Sequence, residues 1–471
     1  MINFANADFI DDAKIKEYLE YGKEKSKDIT LVNGIIDKAS KCKGLEPKEV
    51  AVLLHIEDDD ILDKIYKTAI KIKQAIYGNR IVMFAPLYIS SYCVNGCKYC
   101  GYNCTNKGIR KKLTKEELIR EVELIETLGH KRIVLEAGED PVNCPIDYVT
   151  DCMKTIYEVH KDKGEMRRIN VNIAATTIEN YKKLKAAKIG TYTLFSETYH
   201  RETYSKMHPT GPKHDYDYHM TALERAMEAG IDDVGIGVLY GLYDYKYETV
   251  AMFLHVKHLE EKFNGVGPHT ISMPRIRPAL GVDFSNFPYL VSDHDFKKLV
   301  AILRLAVPYT GMILSTREEP KFREEVIAVG ISQISAGSAT DVGGYEKEFG
   351  DKSQVDPPQF VVNDDRTPIE ILKSLCAQGY IPSYCTACYR QGRTGDRFMA
   401  LAKSGQIHNC CLPNAILTFK EFLIDYADDE LKEIGEKTIE KNLKDITSED
   451  TKKETIARLS RIENGERDLY F

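Results

Sequence analysis

The chain places three cysteines close together, at positions 93, 97 and 100 of the segment CVNGCKYC. Three thiolates can bind three corners of a cubane iron–sulfur cluster and leave its fourth iron open to another ligand. Fully ligated electron-transfer clusters usually take four cysteines, so this spacing indicates a cluster that binds a cofactor or substrate. Cys93, Cys97 and Cys100 could instead hold zinc with Cys104 as the fourth ligand. Tyr99 could place its ring against whatever binds the open iron.

A second incomplete set of thiols lies near the C-terminus. Cys385 and Cys388 have C-x2-C spacing, and Cys411 follows them in the chain. The adjacent Cys410 leaves a four-thiol zinc site open as an alternative, although neighbouring cysteines seldom ligate one ion comfortably. The remaining six of the 12 cysteines are interpreted as ordinary buried or surface thiols: Cys42, Cys104, Cys144, Cys152, Cys376 and Cys410.

The composition excludes several classes of protein. With 471 residues, 43% hydrophobic and 29% charged, the chain is expected to form a packed core. The net charge of −7 gives no general attraction to nucleic acid or to an anionic membrane, so neither is an expected partner. No apolar stretch approaches the ~20 residues of a membrane span, and the first residues lack a signal peptide's pattern. We therefore expect a cytoplasmic protein, in which thiols stay reduced.

The elements that must position these cysteines alternate between strands and helices. Short β-rich runs are predicted at 81–89, 132–137, 169–174, 191–195, 234–239, 270–274, 312–315 and 332–335. Helical patterns lie between them near 115–128, 146–160, 178–188, 216–229, 246–263, 293–306 and 320–329. Eight strands with intervening helices predict an α/β fold, a (β/α)8 TIM-type barrel, with a doubly wound sheet as the alternative. The first cysteine set then lies at the C-terminal rim, where barrel enzymes place their chemistry.

The two ends of the chain differ from this alternating pattern. Residues 1–80 are predicted to form an N-terminal helical extension, and 81–343 the barrel. Residues 344–471 are predicted to contain a polar linker or lid up to 367, and then a C-terminal, cluster-binding helical domain. In that domain we expect a helix, a cysteine-bearing loop and a second helix over 368–425, followed by a charged helical tail.

Charged residues at the predicted strand ends are candidates for binding a small molecule. Glu139 follows a glycine at the end of the second strand, where the backbone would let a ligand approach and the carboxylate could accept hydrogen bonds from an ammonium. Glu197 ends the fourth strand. Arg317 follows the seventh strand and could pair with a carboxylate, assisted by the hydroxyls of Ser315 or Ser335. Each of these could also be a turn residue or a locally paired surface charge.

The first cysteine set, with an aromatic residue before its third cysteine, resembles the radical S-adenosylmethionine (SAM) superfamily. The resemblance implies a 4Fe-4S cluster whose open iron binds SAM and cleaves it to a 5′-deoxyadenosyl radical. It also implies that Glu139 binds the SAM amino group, that Glu197 pairs with the SAM ribose or with an ordering arginine, and that Tyr99 lies beside SAM. Relatives bind the SAM carboxylate through a basic helix residue. This sequence has His219 at the matching position, with Arg225 further along.

Both cysteine sets together, with the segment at 231–242, are similar to the HydG family of FeFe-hydrogenase maturases, radical SAM tyrosine lyases related to ThiH. This resemblance covers nearly the whole chain. It implies cleavage of the Cα–Cβ bond of L-tyrosine to p-cresol and dehydroglycine, with Arg317 anchoring the substrate carboxylate. Dehydroglycine then gives carbon monoxide and cyanide at an auxiliary 4Fe-4S cluster on Cys385, Cys388 and Cys411.

The family resemblance further implies a fifth, labile iron on the auxiliary cluster, bridged by cysteine and bound by a barrel histidine, for which His269 is our choice. The iron leaves as an Fe(CO)2(CN) unit for the hydrogenase H-cluster. Expected partners are an electron donor of the ferredoxin or flavodoxin type and the other hydrogenase maturases, and an internal channel is expected between the two sites. Two alternatives stay open: a ThiH-type lyase for thiazole synthesis, and a non-catalytic iron–sulfur carrier.

Overall fold

The structure, a computed structural model, describes residues 6–350, 358–404 and 406–471. Its strands are β1 (Arg80–Ser90), β2 (Arg132–Ala137), β3 (Arg168–Asn172), β4 (Thr191–Glu197), β5 (Asp233–Val238), β6 (Thr270–Ser272), β7 (Gly311–Leu314), β8 (Gln333–Ser335) and β9 (Ile381–Ser383).

The helices before the last barrel strand are α1 (Asp12–Lys25), α2 (Ile29–Ala39), α3 (Pro47–Leu54), α4 (Asp59–Tyr77), α5 (Lys115–Thr127), α6 (Ile146–Glu158), α7 (Ile178–Ala186), α8 (Arg201–Met207), α9 (Tyr216–Met220), α10 (Ala222–Glu228), α11 (Tyr245–Lys262), α12 (Asp293–Ala306) and α13 (Pro320–Val329). Those after it are α14 (Gly344–Phe349), α15 (Pro368–Ala377), α16 (Ala387–Arg390), α17 (Gly395–Lys403), α18 (Ile407–Asp425), α19 (Asp429–Leu443) and α20 (Glu449–Glu463).

Strands β1 to β8 form a closed parallel barrel. Each strand pairs with the next, and β1 pairs in parallel with both β2 and β8, for example Tyr88 with Glu136 and Met83 with Ile334. This closure confirms the predicted (β/α)8 barrel, and the doubly wound alternative is wrong because an open sheet would leave two edge strands. All eight predicted strand positions are occupied by strands.

The inward and outward faces of the barrel follow from the alternation of side chains along each strand. In β1 every residue is buried. Ile81, Met83 and Leu87 pack in the main hydrophobic core, whereas Phe84 and Tyr88 line an internal cavity. The outer face of a barrel strand is apolar because it packs against the surrounding helices, whereas the inner face supplies the side chains of the barrel interior.

The N-terminal helical extension packs on the outside of the barrel. Helix α4 contacts α12 and α13, and α1 contacts α11. The helix α2, which the sequence reading missed, begins after Asp28, whose carboxylate accepts a hydrogen bond from the backbone N–H of Leu31. Residues 1–5 of the predicted extension lie outside the described residues.

The C-terminal region departs from the prediction of a cysteine-bearing loop between two helices. An unpredicted strand, β9, pairs with the first residues of β1. Cys388 lies in the short helix α16, and Cys410 and Cys411 lie in the first turns of α18. The loop prediction is wrong there because the segment contains helices too short for a clear periodic pattern. Helices α19 and α20 confirm the helical tail.

Two smaller differences concern the connections. The helix predicted over 216–229 is divided at Thr221 into α9 and α10, and α8 was not predicted. Part of the predicted linker is helical, as α14, while its residues 351–357 lie outside the described residues. The domain boundaries at 80 and 343 stay a prediction. Among the described residues, no helix is long and apolar enough to cross a membrane.

Candidate active site

The first cysteine set lies where β1 leaves the C-terminal end of the barrel. Cys93, Cys97 and Cys100 all line one internal cavity of about 210 Å³. The backbone of their loop is bound to neighbouring segments: the N–H of Val94 donates to the carbonyl oxygen of Glu139 (2.8 Å), and that of Lys98 to the carbonyl oxygen of Met207 (3.0 Å). The structure therefore brings the three thiols together on a fixed loop.

These thiols are free and enclosed, which affects their ionisation. Burial raises the pKa of Cys97 above its ordinary value and raises the pKa of Cys100 to about 11. Lys213 opposes both shifts by its positive charge. Thiolates are the form that binds iron, and these three thiols, of which Cys97 is buried and the other two half-buried, would be stabilised as thiolates by a positive metal centre. An iron–sulfur cluster fits this requirement.

Glu139 lies beside the cysteine loop. Its carboxylate accepts a hydrogen bond of 2.6 Å from the side-chain amide of Asn95, which lies between the first two cysteines. Burial raises the pKa of Glu139. The preceding Gly138 was predicted to leave space for a ligand. In the structure a Cβ at this position would lie 2.3 Å from the carbonyl oxygen of Tyr92. The glycine is therefore required because the backbone of the cysteine loop occupies that space.

Glu197 faces the same cavity from the end of β4. Its φ of 64° places it in the left-handed region, and the pairing register with β5 shifts between Phe195 and Glu197. Such an irregularity re-aims a side chain at the end of a strand. The carboxylate forms an ion pair of 2.7 Å with the ammonium of Lys213.

Lys213 is a cavity residue that the sequence reading missed. It lies in a single 3-10 turn, Pro212–His214, and its backbone N–H donates to the side-chain oxygen of Asn95 (2.9 Å). The Glu197 carboxylate and the nearby thiols raise the pKa of Lys213 although burial opposes this shift. No periodic pattern marks the segment, and a Gly-Pro-Lys turn by itself indicates only a loop.

Tyr99 also lines the cavity, and its hydroxyl lies 2.8 Å from Nε2 of His208.

Arg225 is placed differently from the residues that line this cavity. Its guanidinium donates to the carbonyl oxygens of Thr176 (3.1 Å) and Tyr218 (2.6 Å), and Nε2 of His219 lies 2.8 Å from the carbonyl oxygen of Phe195. A role of Arg225 in cofactor binding stays a prediction.

Arg317, Ser315 and Ser335 come together on the barrel wall. All three line the cavity, and the guanidinium of Arg317 lies 3.3 Å above the ring centre of Phe360. The Ser335 hydroxyl oxygen accepts from the backbone N–H of Thr316 (3.2 Å), which joins the ends of β7 and β8. These contacts hold the strand end that carries Arg317.

The second cysteine set lies at the N-terminal end of the barrel. Cys385, Cys388 and Cys411 line a small separate cavity of about 50 Å³. The neighbouring thiol of Cys411 and burial raise the pKa of Cys388, whereas Cys388 lowers the pKa of Cys411. Cys410 does not line this cavity, and its sulfur lies 3.9 Å from the guanidinium of Arg393.

His269 lines the same cavity, just before β6. Its Nε2 lies 3.1 Å from the hydroxyl of Tyr389, and its Nδ1 lies 3.7 Å from a carboxylate oxygen of Asp233. Among the described residues Nδ1 of His269 is a buried ring nitrogen with no hydrogen-bond partner. A buried imidazole nitrogen beside three cysteines is a donor set that fits an iron centre.

Two arginines complete the wall of this cavity, and the sequence reading missed both. The guanidinium of Arg132 donates to the carbonyl oxygen of Cys385 (2.7 Å). Burial alone would lower the pKa of Arg80, but the nearby thiols of Cys411, Cys385 and Cys388 raise it. Both arginines begin barrel strands, where a lone basic residue carries no recognisable signal.

Comparison with known proteins identifies the family. The family model described as "Radical SAM superfamily" matches residues 87–256, and "Biotin and Thiamin Synthesis associated domain" matches 272–381. A crystal structure of HydG, a maturase of the FeFe-hydrogenase, is 67% identical, with a TM-score of 0.95, and the alignment covers 98% of this chain and 100% of that chain.

The chain belongs to the HydG family. HydG from Carboxydothermus hydrogenoformans is 37% identical, with a TM-score of 0.83, and the match covers 97% of this chain and 100% of that one. The 2-iminoacetate synthase of Salmonella typhimurium is 29% identical over 349 residues, which are 74% of this chain and 89% of that protein. Membership of the radical SAM superfamily implies a SAM-binding 4Fe-4S cluster and SAM as cofactors, and the first cysteine set fits them.

Proposed function

We propose that this HydG-family chain cleaves L-tyrosine between Cα and Cβ to p-cresol and dehydroglycine, and converts dehydroglycine to carbon monoxide and cyanide for an Fe(CO)2(CN) unit of the FeFe-hydrogenase. The observation that carries the proposal is the presence of two cysteine triads at opposite ends of one barrel, each lining its own cavity. A reaction in two stages requires two such places.

At the first site, Cys93, Cys97 and Cys100 would hold a 4Fe-4S cluster with one iron left for SAM. When bound, the cluster and SAM supply the 5′-deoxyadenosyl radical. Glu139 and Glu197 would bind the amino and ribose groups of SAM, with Tyr99 beside them. The barrel encloses this cavity, and exclusion of water protects a reactive species from side reactions.

The substrate tyrosine would lie deeper in the same cavity. Arg317 offers a guanidinium for its carboxylate, with Ser315 and Ser335 at the adjoining strand ends. Phe84 and Phe195 on the cavity wall offer apolar surface for its ring. This combination of one anchoring cation and apolar walls is suited to an aromatic amino acid.

At the second site, Cys385, Cys388 and Cys411 would hold an auxiliary 4Fe-4S cluster, and His269 would bind an additional labile iron bridged by a cysteine molecule. That centre supplies iron on which carbon monoxide and cyanide can be collected. The buried Nδ1 of His269, which has no hydrogen-bond partner among the described residues, supports this assignment. The other ring nitrogen, Nε2, lies 3.1 Å from the hydroxyl of Tyr389, and a partner on the non-ligating nitrogen is common around metal sites.

Passage of product between the two sites would run along the barrel axis. The cavities share no lining residue, but they are lined by alternate residues of the same strands: Val82 and then Phe84 on β1, and Gln333 and then Ser335 on β8. Two residues of a strand span about 6.6 Å. On these strands the two cavities are therefore about one such step apart, and the proposed channel would run across it.

The test is anaerobic reconstitution with SAM, dithionite and isotope-labelled tyrosine, followed by assays for p-cresol, carbon monoxide and cyanide. Cys97→Ala should lose SAM cleavage and all products, because the first cluster loses a ligand. Cys388→Ala should retain p-cresol and lose carbon monoxide. Equal loss of p-cresol and carbon monoxide in Cys388→Ala would contradict the two-stage assignment.

The same assays separate the alternatives. A ThiH-type lyase would form p-cresol without stoichiometric carbon monoxide or cyanide, and an iron–sulfur carrier would form no p-cresol. A low-potential electron donor of the ferredoxin or flavodoxin type and the other hydrogenase maturases would be the protein partners of the proposed reaction.

A further inference from the structure

Glu136 of β2 faces the interior of the barrel beside the first cysteine site. Its neighbour Leu135 is fully buried on the helix side of the strand, whereas Glu136 lines the internal cavity. In the barrel register it lies next to Tyr88 of β1 and Asn172 of β3. The function proposed above gives Glu136 no role.

The charges on the cavity wall are mostly paired with each other. Lys213 pairs with Glu197 at 2.7 Å, and Arg277 pairs with Glu318 at 2.7 Å. The Glu139 carboxylate is occupied by the amide of Asn95.

Three charged side chains of this wall have no ion-pair partner within 4.0 Å among the described residues. One of them, Glu139, accepts the hydrogen bond from Asn95, which leaves Arg317 and Glu136. They do influence one another, because the pKa of each is shifted by the charge of the other. One guanidinium and one carboxyl group therefore line the same cavity without a salt bridge between them.

An enclosed carboxyl group is costly to retain unless something compensates its charge. The amide of Asn172, the register neighbour on β3, lowers the pKa of Glu136 but supplies no charge. Burial raises the pKa of Glu136 to about 8, while Asn172 and Arg317 oppose that shift and Glu197 adds to it. The position is therefore ready for a cation that the protein itself does not provide.

A free α-amino acid carries its carboxylate and its ammonium on one carbon atom, so it needs a cation and an anion close together. We propose that Glu136 binds the α-ammonium group of the substrate while Arg317 binds its carboxylate. This inference rests on the proposed function, since it assigns the second polar contact of the tyrosine site.

The test measures ligand binding by the full-length protein, anaerobically reconstituted and saturated with SAM, without reductant so that no turnover occurs. Equilibrium dialysis compares L-tyrosine, L-phenylalanine and 3-(4-hydroxyphenyl)propanoate, which lacks the amino group. The variant is Glu136→Gln, which keeps the shape and removes the charge. The matched control is Glu126→Gln, which removes a buried carboxyl on α5 outside the cavity.

We expect Glu136→Gln to weaken tyrosine and phenylalanine binding by about 10- to 100-fold, as loss of a charge-assisted hydrogen bond predicts. Binding of 3-(4-hydroxyphenyl)propanoate should change less than about twofold. Glu136→Asp should restore part of the loss. Unchanged iron content and SAM affinity of each variant show that the fold and the first cluster are intact.

Two results would overturn the inference while leaving the proposed function in place. One is tyrosine affinity of Glu136→Gln equal to that of the wild type. The other is loss of tyrosine and 3-(4-hydroxyphenyl)propanoate binding with phenylalanine unaffected, which would assign Glu136 to the phenol. If the wild-type protein binds no tyrosine, the proposed function and this inference fail together.

Discussion

At the scale of single residues, the direction of one side chain decides between adjacent candidates. Cys410 and Cys411 have the same chemistry, and their positions in the sequence do not separate them. In the structure Cys411 faces the cavity shared by Cys385 and Cys388, whereas Cys410 faces Arg393. Neighbouring residues of a helix are separated by ~100° around its axis, so both cannot face one centre.

This difference predicts opposite behaviour for two neighbouring substitutions. Cys411→Ser should lose the iron of the proposed auxiliary cluster and its EPR signal, because it removes one of the three thiols assigned to that cluster. Cys410→Ser should retain both, and serves as the matched control. Iron analysis and EPR of the reconstituted proteins measure the outcome, and loss of auxiliary iron in Cys410→Ser would refute the assignment of Cys411.

At the scale of elements, helix α11 holds the turn that follows β4. The carboxylate of Glu248 accepts hydrogen bonds from the backbone N–H of Tyr199 (2.7 Å) and from the hydroxyl of Thr198. These two residues follow Glu197, whose left-handed backbone aims its carboxylate at the cavity. A residue 51 positions away in the sequence thus fixes the end of a strand that carries a site residue.

Glu248 should also make folding stability depend on pH. Burial raises its pKa to about 8, against the opposing hydrogen bonds from Thr198 and Tyr199, while Asp244 adds to the rise. A carboxyl with a raised folded-state pKa stabilises the fold below its unfolded pKa, and this contribution is lost as the pH rises through the folded value. Between about pH 4.5 and pH 8, wild-type stability should therefore decline relative to Glu248→Gln.

Chemical denaturation at several pH values would measure this difference, which should reach a few kcal/mol. Glutamine retains an acceptor for the Tyr199 N–H, so the comparison isolates ionisation of the carboxyl group. A difference between the two proteins that does not vary with pH would show that Glu248 does not titrate in this range.

At the scale of the whole molecule, the barrel has the two cysteine-lined cavities at its opposite ends. Gly235 of β5 lies between the levels of the two cavities. Two residues before it, Asp233 approaches His269 of the second cavity. Thr193 of β4, which pairs with Gly235, lines the first cavity. A Cβ at Gly235 would lie 2.7 Å from the hydroxyl oxygens of both Thr193 and Thr270. The two threonines therefore fill the space beside Gly235, and an added side chain would crowd the barrel interior at this level.

Gly235→Ala should therefore obstruct transfer more than tyrosine cleavage. We expect p-cresol formation close to that of the wild type and a severalfold fall in carbon monoxide and cyanide. Overpacking should also lower stability by about 1–3 kcal/mol. Gly34→Ala on helix α2, where an added Cβ meets no atom within 4 Å, is the control. A parallel fall of p-cresol and carbon monoxide, with the fold intact, would contradict transfer along the barrel.

The chemistry of the ligands and the alternation of strands and helices could be read from the sequence because both are local. Cys93, Cys97 and Cys100 lie within eight residues of one another, and each strand repeats its own pattern of side chains. The same reading placed Glu139, Glu197 and Arg317 at strand ends, and the structure shows all three facing one cavity.

The tertiary structure alone decided which distant residues meet. Closure of the barrel brings β8 beside β1, and with it Ser335 into the cavity that Cys93 lines. The tertiary structure also places Lys213 and Glu136 in the first cavity and Arg80 in the second, beside partners that are far away in the sequence. The physical reason is that a closed parallel sheet fixes the register of every strand. Because side chains alternate between the two faces of a strand, the register then determines which of them face inward.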